Sequence, residues 1–291
     1  MSYINVGTEN STTIDIYYED HGKGAPVVLI HGFPLSGRAW EKQTVALVRE
    51  GYRVITYDRR GFGKSSQPTS GYDYDTFAGD LQAIITKLDL HDVTLVGHSM
   101  GGGEVARYIG KYGSDRVSKA VFVSGIPPHL AKTPDNPSGL DDAAVRGVQD
   151  AIKKDRLAFL TGFYKDFYNL DTFLGNRISD EVVRDSWNIA SGASPKGTFD
   201  CPPTWVTDFT KDVARIDVAT LVIHGDADRI LPIAATAVRT HQAIKGSQLL
   251  VIEGAPHGIA WTHGAEINDA LIGFLAGRSV GTKTPTKVGV A

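Results

Sequence analysis

The chain has 291 residues, 42% hydrophobic and 22% charged. That is enough apolar side chain to bury roughly three quarters of the unfolded surface, which excludes a disordered chain and a disulfide-held mini-scaffold. Thirty Lys and Arg against 33 Asp and Glu give a formal net charge of −3, so there is no positive field to hold a phosphate backbone and nucleic acid is not an expected partner. The single cysteine, Cys201, precludes an intramolecular disulfide and a thiolate metal cluster. With no basic-then-apolar start and no run near the roughly 18 apolar residues of a membrane span, the expectation is a cytoplasmic protein without a membrane partner.

In chain order, alternating or apolar runs at Thr12–Tyr18 and Val27–Ile30 flank the turn-forming His21-Gly22-Lys23-Gly24 and read as strands. Short β-branched runs follow at Arg53–Thr56, Val93–Val96, Val117–Val123, Thr220–Ile223 and Gln248–Ile252. Between them, Trp40–Arg49, Thr76–Leu88, Gly102–Tyr112, Ala234–Ile244 and Ala265–Leu275 have helical spacing. Apolar strands alternating with helices predict an α/β fold, with a mostly parallel sheet covered on both faces.

The alternation stops between Pro127 and Arg215, where a Pro- and Gly-rich start leads into a strandless stretch rich in aromatics. This predicts a helical cap over a pocket, with Phe163, Trp187 and Trp205 as candidate pocket residues. From Gly277 the residues are small and polar and predict a tail that is mobile or docked on a neighbour.

The chemistry concentrates after the strand ending at Val96, in Gly97-His98-Ser99-Met100-Gly101 followed by the helical Gly102-Gly103-Glu104. A strand turning sharply into a helix forces its serine into a strained conformation and demands small residues two positions either side, which Gly97 and Gly101 supply. The helix N-terminus behind Ser99 directs N–H groups toward developing negative charge, so the Met100 N–H is one predicted oxyanion donor. The loop after an earlier strand, His31-Gly32-Phe33-Pro34, offers the Phe33 N–H as the second.

A serine hydroxyl needs a base, and the base needs a carboxylate. Asp228 follows the strand ending at Ile223, and His257 follows the strand ending at Ile252, each beyond a strand's carboxyl end where parallel sheets build sites. Asp226 is the rival acid and is expected to stabilise its turn instead, while His31 and His98 are expected to pack or to bond backbone. Gly61-Phe62-Gly63-Lys64-Ser65 lacks the glycines of a phosphate loop or a dinucleotide fingerprint and reads as a structural turn. No His-Glu-x-x-His motif or Cys/His cluster occurs, so neither a metal nor another cofactor is expected.

These segments, with Asp58-Arg59-Arg60-Gly61-Phe62-Gly63-Lys64-Ser65-Ser66 and Gly71-Tyr72-Asp73-Tyr74-Asp75, resemble the cofactor-free haloperoxidase, perhydrolase and esterase branch of the α/β-hydrolase superfamily over about residues 10–276. The resemblance implies a mostly parallel eight-stranded sheet with a helical cap insertion, with residues 1–126 and 216–277 as core, 127–215 as cap and 278–291 as flexible tail. It implies a triad of Ser99, Asp228 and His257, oxyanion donors on Phe33 and Met100, and a role in perhydrolysis for Pro34. A serine carboxylesterase is then expected, with hydrogen peroxide as a co-substrate in perhydrolysis. Lactonase or γ-lactamase activity by the same triad, a hydroxynitrile lyase, and a non-catalytic ligand receptor are the alternatives, and homo-oligomerisation stays open.

Overall fold

The computed structural model describes residues 2–281. Its strands are β1 (Ser2–Glu9), β2 (Thr12–His21), β3 (Pro26–Ile30), β4 (Arg53–Tyr57), β5 (Val93–His98), β6 (Val117–Val123), β7 (Ala219–Gly225) and β8 (Gln248–Ile252). The α-helices are α1 (Glu41–Arg49), α2 (Tyr74–Lys87), α3 (Met100–Tyr112), α4 (Asp142–Phe167), α5 (Leu170–Phe173), α6 (Asp180–Ser191), α7 (Pro195–Asp200), α8 (Thr210–Val213), α9 (Ala237–Ala243), α10 (Ile259–Thr262) and α11 (Gly264–Leu275).

The strands form one sheet of eight in the order β1-β2-β4-β3-β5-β6-β7-β8. β2 runs antiparallel to β1 and β4, and every pairing from β4 through β8 is parallel. This is the mostly parallel eight-stranded sheet that the resemblance implies. The period of two along the central strands divides the core: Val28, Ile30, Leu95 and Phe122 face a layer containing α2 and α3, whereas Val27, Leu29, Val96 and Val121 face α1 and α11. No helix among the described residues is long and apolar enough to cross a membrane.

Beyond shifts of a few residues at element ends, three features depart from the sequence reading. β1 adds an edge strand, joined to β2 through Asn10 and Ser11, both with positive φ (49° and 64°). Such a turn is usually written with glycine, and Asn-Ser hides it. The helix expected from Ala234 starts at Ala237, because a turn closed by Ala235 N–H to Pro232 O precedes it. In α4, Asp155 leaves the helical region (φ −161°, ψ 95°), and its carboxylate accepts the Ala158 N–H and so caps the second half. Of the expected tail, residues 278–281 are described, with Val280 N–H donating to Gln248 Oε1 at 2.7 Å. Residues 282–291 lie outside the described residues.

The order reverses at β3: the chain moves to β4 on one side and then to β5 on the other. Loops leaving the carboxyl ends of β3 and β5 therefore diverge and leave a crevice between them. The β6–β7 connection contributes α4 through α8 and no strand of the sheet.

Candidate active site

Ser99 lies between the end of β5 and the start of α3 with φ 53° and ψ −118°, a conformation that few side chains tolerate. The chain can make this turn because its neighbours lack side chains. A Cβ at Gly97 would lie 2.3 Å from Gly101 O, and one at Gly101 would lie 2.4 Å from Ile30 O. Met100 is the first residue of α3, so its N–H has no acceptor one turn earlier in its own helix. The loop after β3 closes through Leu35 N–H to Gly32 O at 3.0 Å. None of the described hydrogen bonds uses the Phe33 or the Met100 N–H.

The loop after β8 brings His257 to Ser99, with Nε2 2.8 Å from Oγ, and the loop after β7 brings Asp228 Oδ2 to 2.7 Å from His257 Nδ1. A carboxylate at Nδ1 fixes the proton there and leaves Nε2 as the acceptor facing the serine hydroxyl. Ser99 and His257 are buried, and so is the Asp228 side chain. Asp228 Oδ1 accepts two backbone N–H groups, from Ile230 (2.9 Å) and Leu231 (2.8 Å), and Oδ2 also lies 3.3 Å from His224 Nε2. Burial alone would raise the Asp228 pKa, but the attraction of His257 and the hydrogen bonds from His224 and His257 outweigh it and hold the carboxyl well below its usual range. The group therefore stays ionised. Asp226, the rival acid, accepts the Gly254 N–H at 2.6 Å and so ties the β7 loop to the β8 loop.

The other two flanking histidines are neutral supports. The His98 ring lies against His257, centroids 4.9 Å apart, with its Nε2 3.0 Å from the His257 carbonyl. Burial and the neighbouring His257 lower the His98 pKa to about 3. His31 accepts the Arg59 N–H on Nε2 (2.9 Å) and donates from Nδ1 to Gly32 O (2.8 Å). Burial, and then the Arg59 charge, hold its pKa well below the ordinary value.

An apolar cavity of about 160 Å³ opens beside Ser99. Phe33, Ile126 and Leu231 line it from the core side, and Leu140, Phe159 and Phe163 line it from the long connection. Phe163 and Trp205, both expected at the pocket, lie on its wall, and Phe33 meets them edge to face at 6.0 and 5.1 Å. Trp187 does not reach it: the indole N–H donates to Thr161 Oγ1 at 3.2 Å, and the ring packs α6 onto α4. Pro34, which follows Phe33 through a cis peptide bond, is buried but is not on the wall. The sequence reading missed Ile126, Leu140 and Leu231, because isolated aliphatic residues in turns and on amphipathic helices carry no local signature. It also missed Arg229 on the wall, although that residue directly follows Asp228.

Among the described residues, no group of three or more His, Cys, Asp or Glu is placed to hold a metal ion. Asp58 fills the centre of the glycine-rich turn at 61–65, accepting the Lys64 N–H at 2.7 Å and the Gly37 N–H at 2.8 Å. A carboxylate thus occupies the place a phosphate would take in a phosphate loop.

Residues 25–264 match the family described as having the alpha/beta hydrolase fold. A Synechocystis sp. protein, named provisionally as a non-heme chloroperoxidase, is 61% identical over 94% of this chain and 100% of its own length. The bifunctional esterase/perhydrolase of Acinetobacter calcoaceticus is 36% identical over 90% of this chain and 96% of its own. The crystal structure of a bromoperoxidase from Bacillus anthracis superposes with a TM-score of 0.91 at 52% identity, covering 94% of this chain and 99% of that one.

Proposed function

The chain belongs to the α/β-hydrolase family, in its non-haem haloperoxidase and esterase branch, and we propose that it is a serine carboxylesterase acting through an acyl-enzyme on Ser99. The observation that carries this reading is the unbroken relay from Ser99 Oγ to His257 Nε2 (2.8 Å) and from His257 Nδ1 to Asp228 Oδ2 (2.7 Å). In the first step, His257 takes the Ser99 proton as Oγ bonds to the ester carbonyl carbon. The carbonyl oxygen becomes an oxyanion facing the Phe33 and Met100 N–H groups. Asp228 stabilises the imidazolium, which then gives its proton to the departing alcohol as the C–O bond breaks. Water, deprotonated by His257, attacks the acyl-enzyme and releases the acid.

Hydrogen peroxide in place of that water releases a peracid. The peracid oxidises halide in solution, with a proton consumed and carboxylic and hypohalous acids formed, so halide oxidation needs no site of its own. Residues 127–215 serve as a cap, and the apolar cavity of about 160 Å³ beneath it suits a short acyl chain.

The test is hydrolysis of p-nitrophenyl acetate and butyrate by wild type and Ser99→Ala, repeated with acetate, hydrogen peroxide and bromide. The proposal expects ester turnover to fall by on the order of 10⁴-fold or more in the variant, with peroxide-dependent bromination lost alongside it. Undiminished turnover in Ser99→Ala would overturn the acyl-enzyme.

A further inference from the structure

The C-terminal end of α4 reaches past the cavity and touches both loops that carry the acid and the base. The Phe167 carbonyl accepts the Gly258 N–H at 2.6 Å, directly after His257. The Phe167 ring meets the His257 ring edge to face at 5.1 Å. The fit is close: a Cβ at Gly258 would lie 2.3 Å from Tyr168 Cδ1 and 2.9 Å from Phe167 Cδ1. Two residues on, Asn169 turns the chain in a left-handed conformation (φ 47°, ψ 58°) and donates from Nδ2 to Ala227 O at 2.9 Å. The Asp171 carboxylate then accepts both Arg229 Nη atoms, at 2.9 and 3.0 Å. Ala227 and Arg229 are the two neighbours of Asp228.

We propose that residues 167–171 form a clasp that sets the spacing of Asp228 and His257, with Asn169 and Asp171 as positioning residues. Three contacts from one short stretch bracket the acid on both sides and hold the residue after the base. Besides them, Asp226 ties the two loops to each other through the Gly254 N–H, and His98 Nε2 holds the His257 carbonyl, but neither contact reaches the residues on either side of Asp228. A relay with contacts below 3 Å loses alignment when either loop shifts, and a displacement of about 1 Å can cost on the order of 100-fold in rate. The Asp171–Arg229 pair is largely solvent-exposed, with side-chain exposures of 63% and 43%. Such pairs contribute little to folding, so replacing them alters placement more than stability. The inference rests on the esterase reading above.

The experiment uses the full chain and p-nitrophenyl acetate, with active sites counted by organophosphonate titration so that kcat refers to folded enzyme. The variants are Asn169→Gly, which keeps the left-handed backbone and removes the Ala227 contact, Asp171→Arg, and the exchange Asp171→Arg with Arg229→Asp. The clasp predicts that Asn169→Gly lowers kcat about tenfold with KM within about twofold. It predicts that Asp171→Arg lowers kcat about fivefold and that the exchange restores most of that loss. A wild-type kcat in both single variants, a loss carried by KM alone, or an exchange that restores nothing overturns it. If Asn169→Gly does not fold, the exchange decides alone. Ser99→Ala is measured in parallel: turnover there removes the esterase reading itself, whereas an inactive Ser99→Ala beside fully active clasp variants removes only the clasp.

Discussion

The proposed base is held by its neighbours. His257 has a carboxylate at Nδ1, a serine at Nε2, and the neutral ring of His98 across its face. The His98 pKa of about 3 against an ordinary 6.5 has a definite consequence for stability. The folded chain keeps this ring unprotonated down to about pH 3, while the unfolded chain binds a proton near 6.5. Between those values the unfolded state therefore binds more protons, and the stability present above 6.5 is lost as the pH falls through that window. His31 acts in the same direction. We expect the melting temperature to drop less between pH 8 and pH 5 in His98→Gln than in wild type. Equal drops would show that His98 is not the titrating group. The serine turn was legible in sequence because glycines bracket it, and the distances of 2.3 and 2.4 Å that a Cβ would meet give the physical reason. The paired N–H donors to Asp228 Oδ1 were not legible, because backbone groups leave no trace in residue identity.

At the scale of elements, the strands that line the site were readable because each is an apolar run bounded by turn residues and buried on both faces. β1 was not: as an edge strand it leaves Tyr3 45% exposed, and its pattern lacks the continuous apolar character of the central strands. The connection between β6 and β7 was readable as helical and aromatic, but not as a set of orientations. Trp187 and Trp205 look alike in sequence, yet α6 turns the first onto α4 while the second meets Phe33 at 5.1 Å. The position of α4 fixes the far wall of the cavity through Phe159 and Phe163. Shortening Phe163 to alanine removes a ring from that wall, and we predict that the butyrate-to-acetate ratio of kcat/KM then rises about tenfold, consistent with the free energy of burying added methylenes. Steady-state kinetics with the two p-nitrophenyl esters decide this, and an unchanged ratio would place the acyl chain elsewhere.

Across the whole molecule, the two sides of the crevice are joined beneath the site. Glu104, one turn into α3 behind Ser99, accepts from the Tyr57 hydroxyl and from Arg59 Nε, and Arg59 Nη2 donates to the His31 carbonyl at 2.7 Å. The helix behind the serine is thereby tied to the loop carrying the Phe33 N–H through an ion pair with neither partner more than 1% exposed. Removing one partner strands the other charge in a medium that cannot solvate it. Glu104→Ala should therefore lower unfolding free energy by about 3–5 kcal/mol in urea titrations. A change within about 1 kcal/mol would mean that the pair contributes far less than its burial implies. The parallel run of the sheet follows from the alternation of strands and helices, whereas the reversal of order at β3 that makes the crevice does not. The Tyr57–Glu104–Arg59 network joins residues 47 and 45 positions apart, a separation that no local pattern reports.

The claim on which the rest depends is that Ser99, activated by His257, is the nucleophile. The most direct measurement is intact mass and peptide mapping after exposure to a p-nitrophenyl organophosphate, with release of p-nitrophenol followed in the same sample. The account predicts one adduct per chain, located on Ser99, with one equivalent of p-nitrophenol released and labelling strongly slowed in His257→Ala. An unlabelled chain, or an adduct on any other residue, would contradict it.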